Sequence, residues 1–184
     1  MERFTCREDK VSVGGALAER ACSVWTLTAG TLATAGIRLQ VLPEQGFKSC
    51  GLRVGKELLQ PEVPVWGREL VEQSAFGTCL LFPTPNRVRD HSFTFQGRRV
   101  EMLKHGKPCT QHGIAMDSLW TVTAAGTDDS SAYIAGMLVI APGDENYRAF
   151  PFLAGWKLLT ICRKGRCFSV TGCKIPGRRG CLLA

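Results

Sequence analysis

Short runs of alternating apolar and polar residues, bounded by turn clusters, recur along most of this chain and commit it to antiparallel β-structure. In GIRLQVLP (36–43), Ile37, Leu39 and Val41 alternate with Arg38, Gln40 and Leu42, the period of two that sets one face of a strand on a core. SFTF (92–95) and RVEML (99–103) repeat the pattern, with Phe93 and Phe95 set to face Val100 and Met102. Between them Gln96-Gly97 supplies a residue that tolerates positive φ in a tight hairpin turn. LWTVTA (119–124), SAYIAGMLVIA (131–141), WKLLTIC (156–162) and RCFSV (166–170) continue the series, separated by turn clusters such as TAAGTDDSS and APGDEN. Helix signals are few, the best being WGRELVEQSA (66–75), which no Ser, Thr, Asp or Asn caps. Residues 1–23 lack a clean period and read as a loose N-terminal arm, with at most a helical turn in ALAERAC. The expected fold is all-β, an antiparallel β-sandwich formed by residues 24–184 as one domain.

Length and charge narrow the function classes. A chain of 184 residues buries about 70% of its unfolded surface when it folds as one domain. No apolar run approaches the ~20 residues of a membrane helix. The start, MERFTCREDKVSVGG, mixes acids with bases and has no apolar stretch, so it does not read as a signal peptide. A cytoplasmic protein with no membrane partner is expected, and its nine cysteines then read as reduced thiols. The last four, spaced C-x4-C-x5-C-x7-C, lack the paired C-x2-4-C knuckles and nearby histidines of a zinc site, so no metal or cofactor is expected. The net charge of +7 arises entirely from Lys157 onward, where seven basic residues and no acid occur, while the first 156 residues carry sixteen of each sign. Such a tract contacts phosphate backbones by counterion release, but more often forms a solvated end. No nucleic-acid partner is expected.

Two stretches hold side chains suited to chemistry. In PTPNRVRD, Pro83 and Pro85 fix φ at two of four positions and restrict the residues before them. Asn86 and Arg87 therefore stand on stiff backbone, and an amide beside a guanidinium fork suits hydroxyl-rich or anionic ligands. The same residues also suit an ordinary turn with an exposed arginine. Of the three histidines, His91 lies in the charged RVRDHS turn and reads as solvated, and His105 lies in the basic LKHGKP loop. His112, in QHGIAMDSLW, precedes Gly113 and a strand. A histidine so placed exchanges a proton or hydrogen bond at a cleft, or sits in solvent. G-x-G-x-x-G, Walker A, G-x-S-x-G and H-E-x-x-H patterns are all missing, which leaves nucleotide binding and the corresponding hydrolases without support.

Taken in order, LQVLPEQG (39–46), LFPTPNRVRD with FTFQGRRVEM (81–102), HGIAMDSLW (112–120) and DENYRAFPF (144–152) resemble the N-terminal half of the aldose 1-epimerase (galactose mutarotase-like) family. The resemblance implies a supersandwich with a sugar cleft on one face, and interconversion of the α and β anomers of a free aldose (a hexose) without cofactor or metal. A general acid protonates the ring oxygen, a general base takes the C1 hydroxyl proton, and the opened chain rotates before closing. Carried onto this sequence, Asn86 and Arg87 bind sugar hydroxyls. His112 is the family's first active-site histidine, the catalytic candidate, bonding near the ring oxygen. Asp117 and Trp120 mark the motif more than the chemistry. The family's second histidine, in a His-Pro-Tyr-Phe or His-x-Tyr-Phe motif, and its late general-base glutamate have no counterpart here. Residues 153–184 show cysteine, arginine and glycine where the family favours acids and asparagine. The expectation is an incomplete sandwich, the front half of an epimerase, with weak or absent turnover and an exposed sheet edge that invites self-association. The alternative is a sugar-binding or structural remnant of the same fold.

Overall fold

The alternating runs assemble into two five-stranded antiparallel sheets, described by a computed structural model over residues 3–15, 18–63, 77–95, 97–104, 107–108, 111–174 and 181–182. The first sheet, in spatial order, is β1 (Phe4–Gly15), β2 (Ala18–Ala29), β3 (Ile37–Leu42), β4 (Lys48–Val54) and β5 (Glu57–Leu58). Two small hairpins follow in the chain, β6 (Ser92–Phe95) with β7 (Arg98–Glu101) and β8 (Leu103–Lys104) with β9 (Lys107–Pro108). The second sheet is β10 (Thr121–Thr127), β11 (Ala132–Ile140), β12 (Ala154–Arg163), β13 (Arg166–Lys174) and β14 (Cys181–Leu182). A short helix, α1 (Glu145–Ala149), lies between β11 and β12.

Strand register explains how the sheets face each other. Leu27 stands opposite Leu39 and Ala29 opposite Ile37, and across the sandwich Leu138 stands opposite Trp156. These side chains join Val41, Ile134 and Leu158 in one buried cluster drawn from both sheets, each worth about 1.5–3 kcal/mol of apolar burial. The alternation read in residues 36–43 holds, with Ile37, Leu39 and Val41 buried. Val24, Leu42 and Cys50 form a separate buried cluster with Val11 and Val63. Lys48 is fully buried, its Nζ 3.6 Å from Asp117 Oδ1, and burial pulls its ammonium below the usual lysine range.

Several expectations are corrected. Residues 1–23 are not a loose arm over their described part: β1 pairs with β2 from Phe4↔Ala29 to Gly15↔Ala18. The described part of ALAERAC is strand as well. The period was hidden because the apolar residues of β1 change faces, Phe4 and Cys6 packing on the inter-sheet core and Val11 on the other cluster. Between them the charged positions pair along the strand, Arg7 with Asp9 at 2.8 Å and Lys10 with Glu8 at 2.6 Å. The FPF stretch is not strand; Pro151 has no N–H to give a ladder, the Phe152 N–H closes a tight turn onto Phe150 O at 2.7 Å, and β12 begins only at Ala154. The cysteines are not all reduced thiols. Cys162 and Cys167 face each other across the β12–β13 hairpin and form a disulfide, whereas Cys6, Cys22, Cys50, Cys79 and Cys173 are free. The helix expected at 66–75, Gln96 of the hairpin turn, His105 and Cys109 lie outside the described residues. Among the described residues no helix is long and apolar enough to cross a membrane.

Candidate functional site

The stiff PTPN turn and the His-Gly segment are laced together by backbone. Phe82 bridges Gly113, and Arg87 bridges Gln111. The His112 N–H donates to Asn86 O at 3.3 Å, and the Ile114 N–H donates to Phe82 O at 2.7 Å. Gly113 makes this approach possible. Its φ is +69°, and a Cβ there would sit 2.1 Å from Phe82 O and 2.7 Å from Pro83 Cδ. His112 itself adopts φ +64°, the left-handed region that few non-glycine residues occupy. Residues 25 or more apart in sequence thus form one knot, with Asn86 and Arg87 exposed and His112 half-buried on it.

The imidazole of His112 is held at both nitrogens. Nδ1 lies 3.0 Å from Pro85 O, and a carbonyl only accepts, so Nδ1 carries the proton. Nε2 is then a lone-pair acceptor in the neutral ring, and the Gln111 side-chain amide donates to it at 2.8 Å. Asn86 Oδ1 accepts its neighbour's backbone N–H, that of Arg87, at 2.8 Å, which leaves the Asn86 amide nitrogen as the group that can donate to a ligand.

Two further contacts steady the knot. Phe82 meets Phe150 and Trp156 with ring centroids 5.1 and 4.7 Å away, and Phe152 in turn meets Phe95 of β6 at 4.7 Å. The β6–β7 hairpin is thereby tied through an aromatic relay to the residue preceding the proline turn. On the other side, the LPEQG turn locks onto the segment after His112. The Gly46 N–H donates to Ser118 O at 3.0 Å and the Trp120 N–H to Pro43 O at 3.1 Å. The side chains of Asp117 and Trp120 serve this frame, Asp117 by its ion pair with Lys48 and Trp120 by burial and an Nε1–H bond to Ala115 O at 3.2 Å.

The sequence reading named Asn86, Arg87 and His112, and the fold brings all three together. It missed Gln111 and the Pro85 carbonyl, which hold the ring, and Lys48, which reads as an ordinary surface lysine. His91, expected in solvent, is instead half-buried, with its carbonyl accepting the Met102 N–H at 2.7 Å. A cavity of about 400 Å³ opens on the same segment, lined by Ile114, Asp117, Ser118 and Leu119 with Glu145 and Asn146. Asn86, Arg87 and His112 stand outside its wall.

The aldose 1-epimerase family model matches residues 54–154, more than half of the sequence and both halves of the knot. The chain belongs to the aldose 1-epimerase family. Among solved structures, a galactose mutarotase-like protein from Clostridium acetobutylicum superposes on this epimerase-family chain with a TM-score of 0.66 at 18% identity, over 92% of this chain and 49% of that one. The Slr1438 protein from Synechocystis sp. PCC 6803 does so with a TM-score of 0.63 at 20% identity, over 77% of this chain and 45% of that one. Both likenesses bear out the mutarotase-like β-sandwich, and the chain spans about half the length of either structure. A search of curated proteins finds no match.

Proposed function

We propose that this chain binds a free aldose through Asn86, Arg87 and His112, the ligand-holding portion of an epimerase. The observation that carries the reading is the backbone knot, which sets an amide, a guanidinium and an imidazole from two distant stretches side by side. Arg87 and the Asn86 amide donate to sugar hydroxyl oxygens. Neutral His112 accepts a hydroxyl proton at Nε2, and the sugar takes the place of the Gln111 amide. The ring oxygen only accepts, so the contact to it that the family implies requires the imidazolium form, with a proton on Nε2. Anomer interconversion needs an acid and a base on opposite sides of the ring, each worth about 10²–10⁴-fold. Binding is therefore the activity assigned to this chain, with turnover limited to what His112 supplies.

A second reading, a structural remnant without sugar affinity, draws on the satisfaction of both His112 ring nitrogens within the chain. Calorimetric titration with D-glucose or D-galactose, combined with polarimetry of the freshly dissolved α anomers, separates the two. Binding that disappears in Arg87→Ala and His112→Ala is the expected result, with any acceleration of mutarotation vanishing in His112→Ala. Absence of heat with either sugar would overturn the proposal in favour of the remnant.

A further inference from the structure

The two ends of β11 carry opposite charge. Beside its first residue, the β10–β11 and β12–β13 turns enclose an open cavity of about 960 Å³. Its wall holds Arg3, Arg163, Lys164 and Arg166 against Asp128 and Asp129. Beside its last residues lies the 400 Å³ cavity, whose wall holds Glu44, Asp117, Asp144 and Glu145 and, among the described residues, no lysine or arginine. The length of β11 separates the two by about 30 Å. Internal contacts do not cancel the difference. Asp128 is committed to Ser130 and Ser131 within its own turn, and Lys48 offsets only Asp117.

Shape and apolar surface match the charge. Residues 163–166, Arg-Lys-Gly-Arg, are the exposed tip of a hairpin that the Cys162–Cys167 disulfide closes. Phe168 and Val170 stand exposed behind the tip at 37% and 47%, and Leu119 and Val139 stand exposed in the acidic cavity at 58% and 47%. The basic C-terminal tract, which the sugar site does not use, thus places three of its seven charges on this one projecting turn.

We propose that the basic tip of one copy docks in the acidic, apolar cavity of a second copy, end to end. One molecule offers both surfaces at once because they lie at opposite ends of the same strand. Such a contact is heterologous, so copies add in open chains unless the geometry closes a ring. Exposed ion pairs chiefly set orientation and encounter rate, and the apolar contact of Phe168 and Val170 with Leu119 and Val139 supplies most of the affinity. The contact is weak and salt-sensitive.

Sedimentation velocity across a dilution series tests it, at about 50 mM and about 500 mM salt, where the screening length falls well below 10 Å. Wild-type protein is expected to grow beyond monomer with concentration at low salt and to shrink at high salt. Arg163→Gln with Arg166→Gln neutralises the tip. Asp144→Asn with Glu145→Gln neutralises the cavity and keeps the Asp144 oxygen that accepts the Ala141 N–H. Each variant alone is expected to stay monomeric with an unchanged circular dichroism spectrum. Their equal mixture is expected to form a dimer and nothing larger, because one tip and one cavity remain. A monomeric wild type, a mixture that stays monomeric, or variants that associate as the wild type does would each overturn the proposal. Sugar binding plays no part in this outcome.

Discussion

Gly113 and Gly97 share a left-handed φ, at +69° and +72°, but only Gly113 has a carbonyl where a Cβ would go. Alanine at Gly97 should therefore cost only the conformational term, about 1 kcal/mol. Gly113→Ala should cost more, with about 1–3 kcal/mol of backbone strain and a displaced Phe82–Pro83 junction added, and should weaken aldose binding. Urea unfolding of the two variants measures the difference; equal losses would mean that the knot yields without consequence. Gln111 matters for a different reason, because its amide caps the lone pair of His112 Nε2. Gln111→Ala is expected to speed modification of His112 by diethyl pyrocarbonate, read by mass spectrometry, without altering the fold. In the wild-type protein, ring ¹⁵N shifts should report a proton on Nδ1. A proton on Nε2 would contradict the assignment made from the Pro85 carbonyl.

Among the elements, the aromatic relay joins the proline turn to the β6–β7 hairpin. Phe150, buried at 7% exposure, touches Phe82, Phe95 and Phe152, whereas Phe95 is 41% exposed. Phe150→Ala should cost about 3–5 kcal/mol and loosen the site, and Phe95→Ala should cost distinctly less; thermal unfolding ranks them. Strands β3, β11 and β12 were legible in the sequence because each keeps its apolar residues on one face over its whole length. Strand β1 was not, because Phe4 and Cys6 serve one layer and Val11 another, so no single period runs through it. The Cys162–Cys167 pair becomes visible only once the hairpin register sets the two residues opposite each other. The site divides in the same way. Asn86, Arg87 and His112 were legible through motif order. Their ring partners depend on a backbone carbonyl 27 residues away in sequence, which no local pattern encodes.

At the scale of the whole molecule, two buried groups shape stability at alkaline pH. Burial pushes the Cys50 thiol from 9.0 up to about 12. Its folded pKa lies above the unfolded one, so the stability it contributes is complete below pH 9 and is lost as pH rises toward about 12, by at most about 1.4 kcal/mol per pH unit. Lys48 is shifted downward by burial, so it acts in the opposite sense and adds stability as pH rises toward its unfolded value of 10.5. Cys50→Ala should flatten the decline above pH 9 in urea unfolding, with the slope rather than the baseline as the readout. An unchanged slope would assign the decline elsewhere.

The aldose site can be read without turnover, which matters for a chain spanning about half of its structural relatives. Backbone amide NMR during titration with D-galactose or D-glucose is predicted to shift Arg87, Gln111, His112 and Gly113 together, at one common affinity, and to leave them still in Arg87→Ala. Shifts confined to the cavity beside Leu119 and Val139, or no shift with either sugar, would contradict the assignment of this knot as the place where the sugar is held.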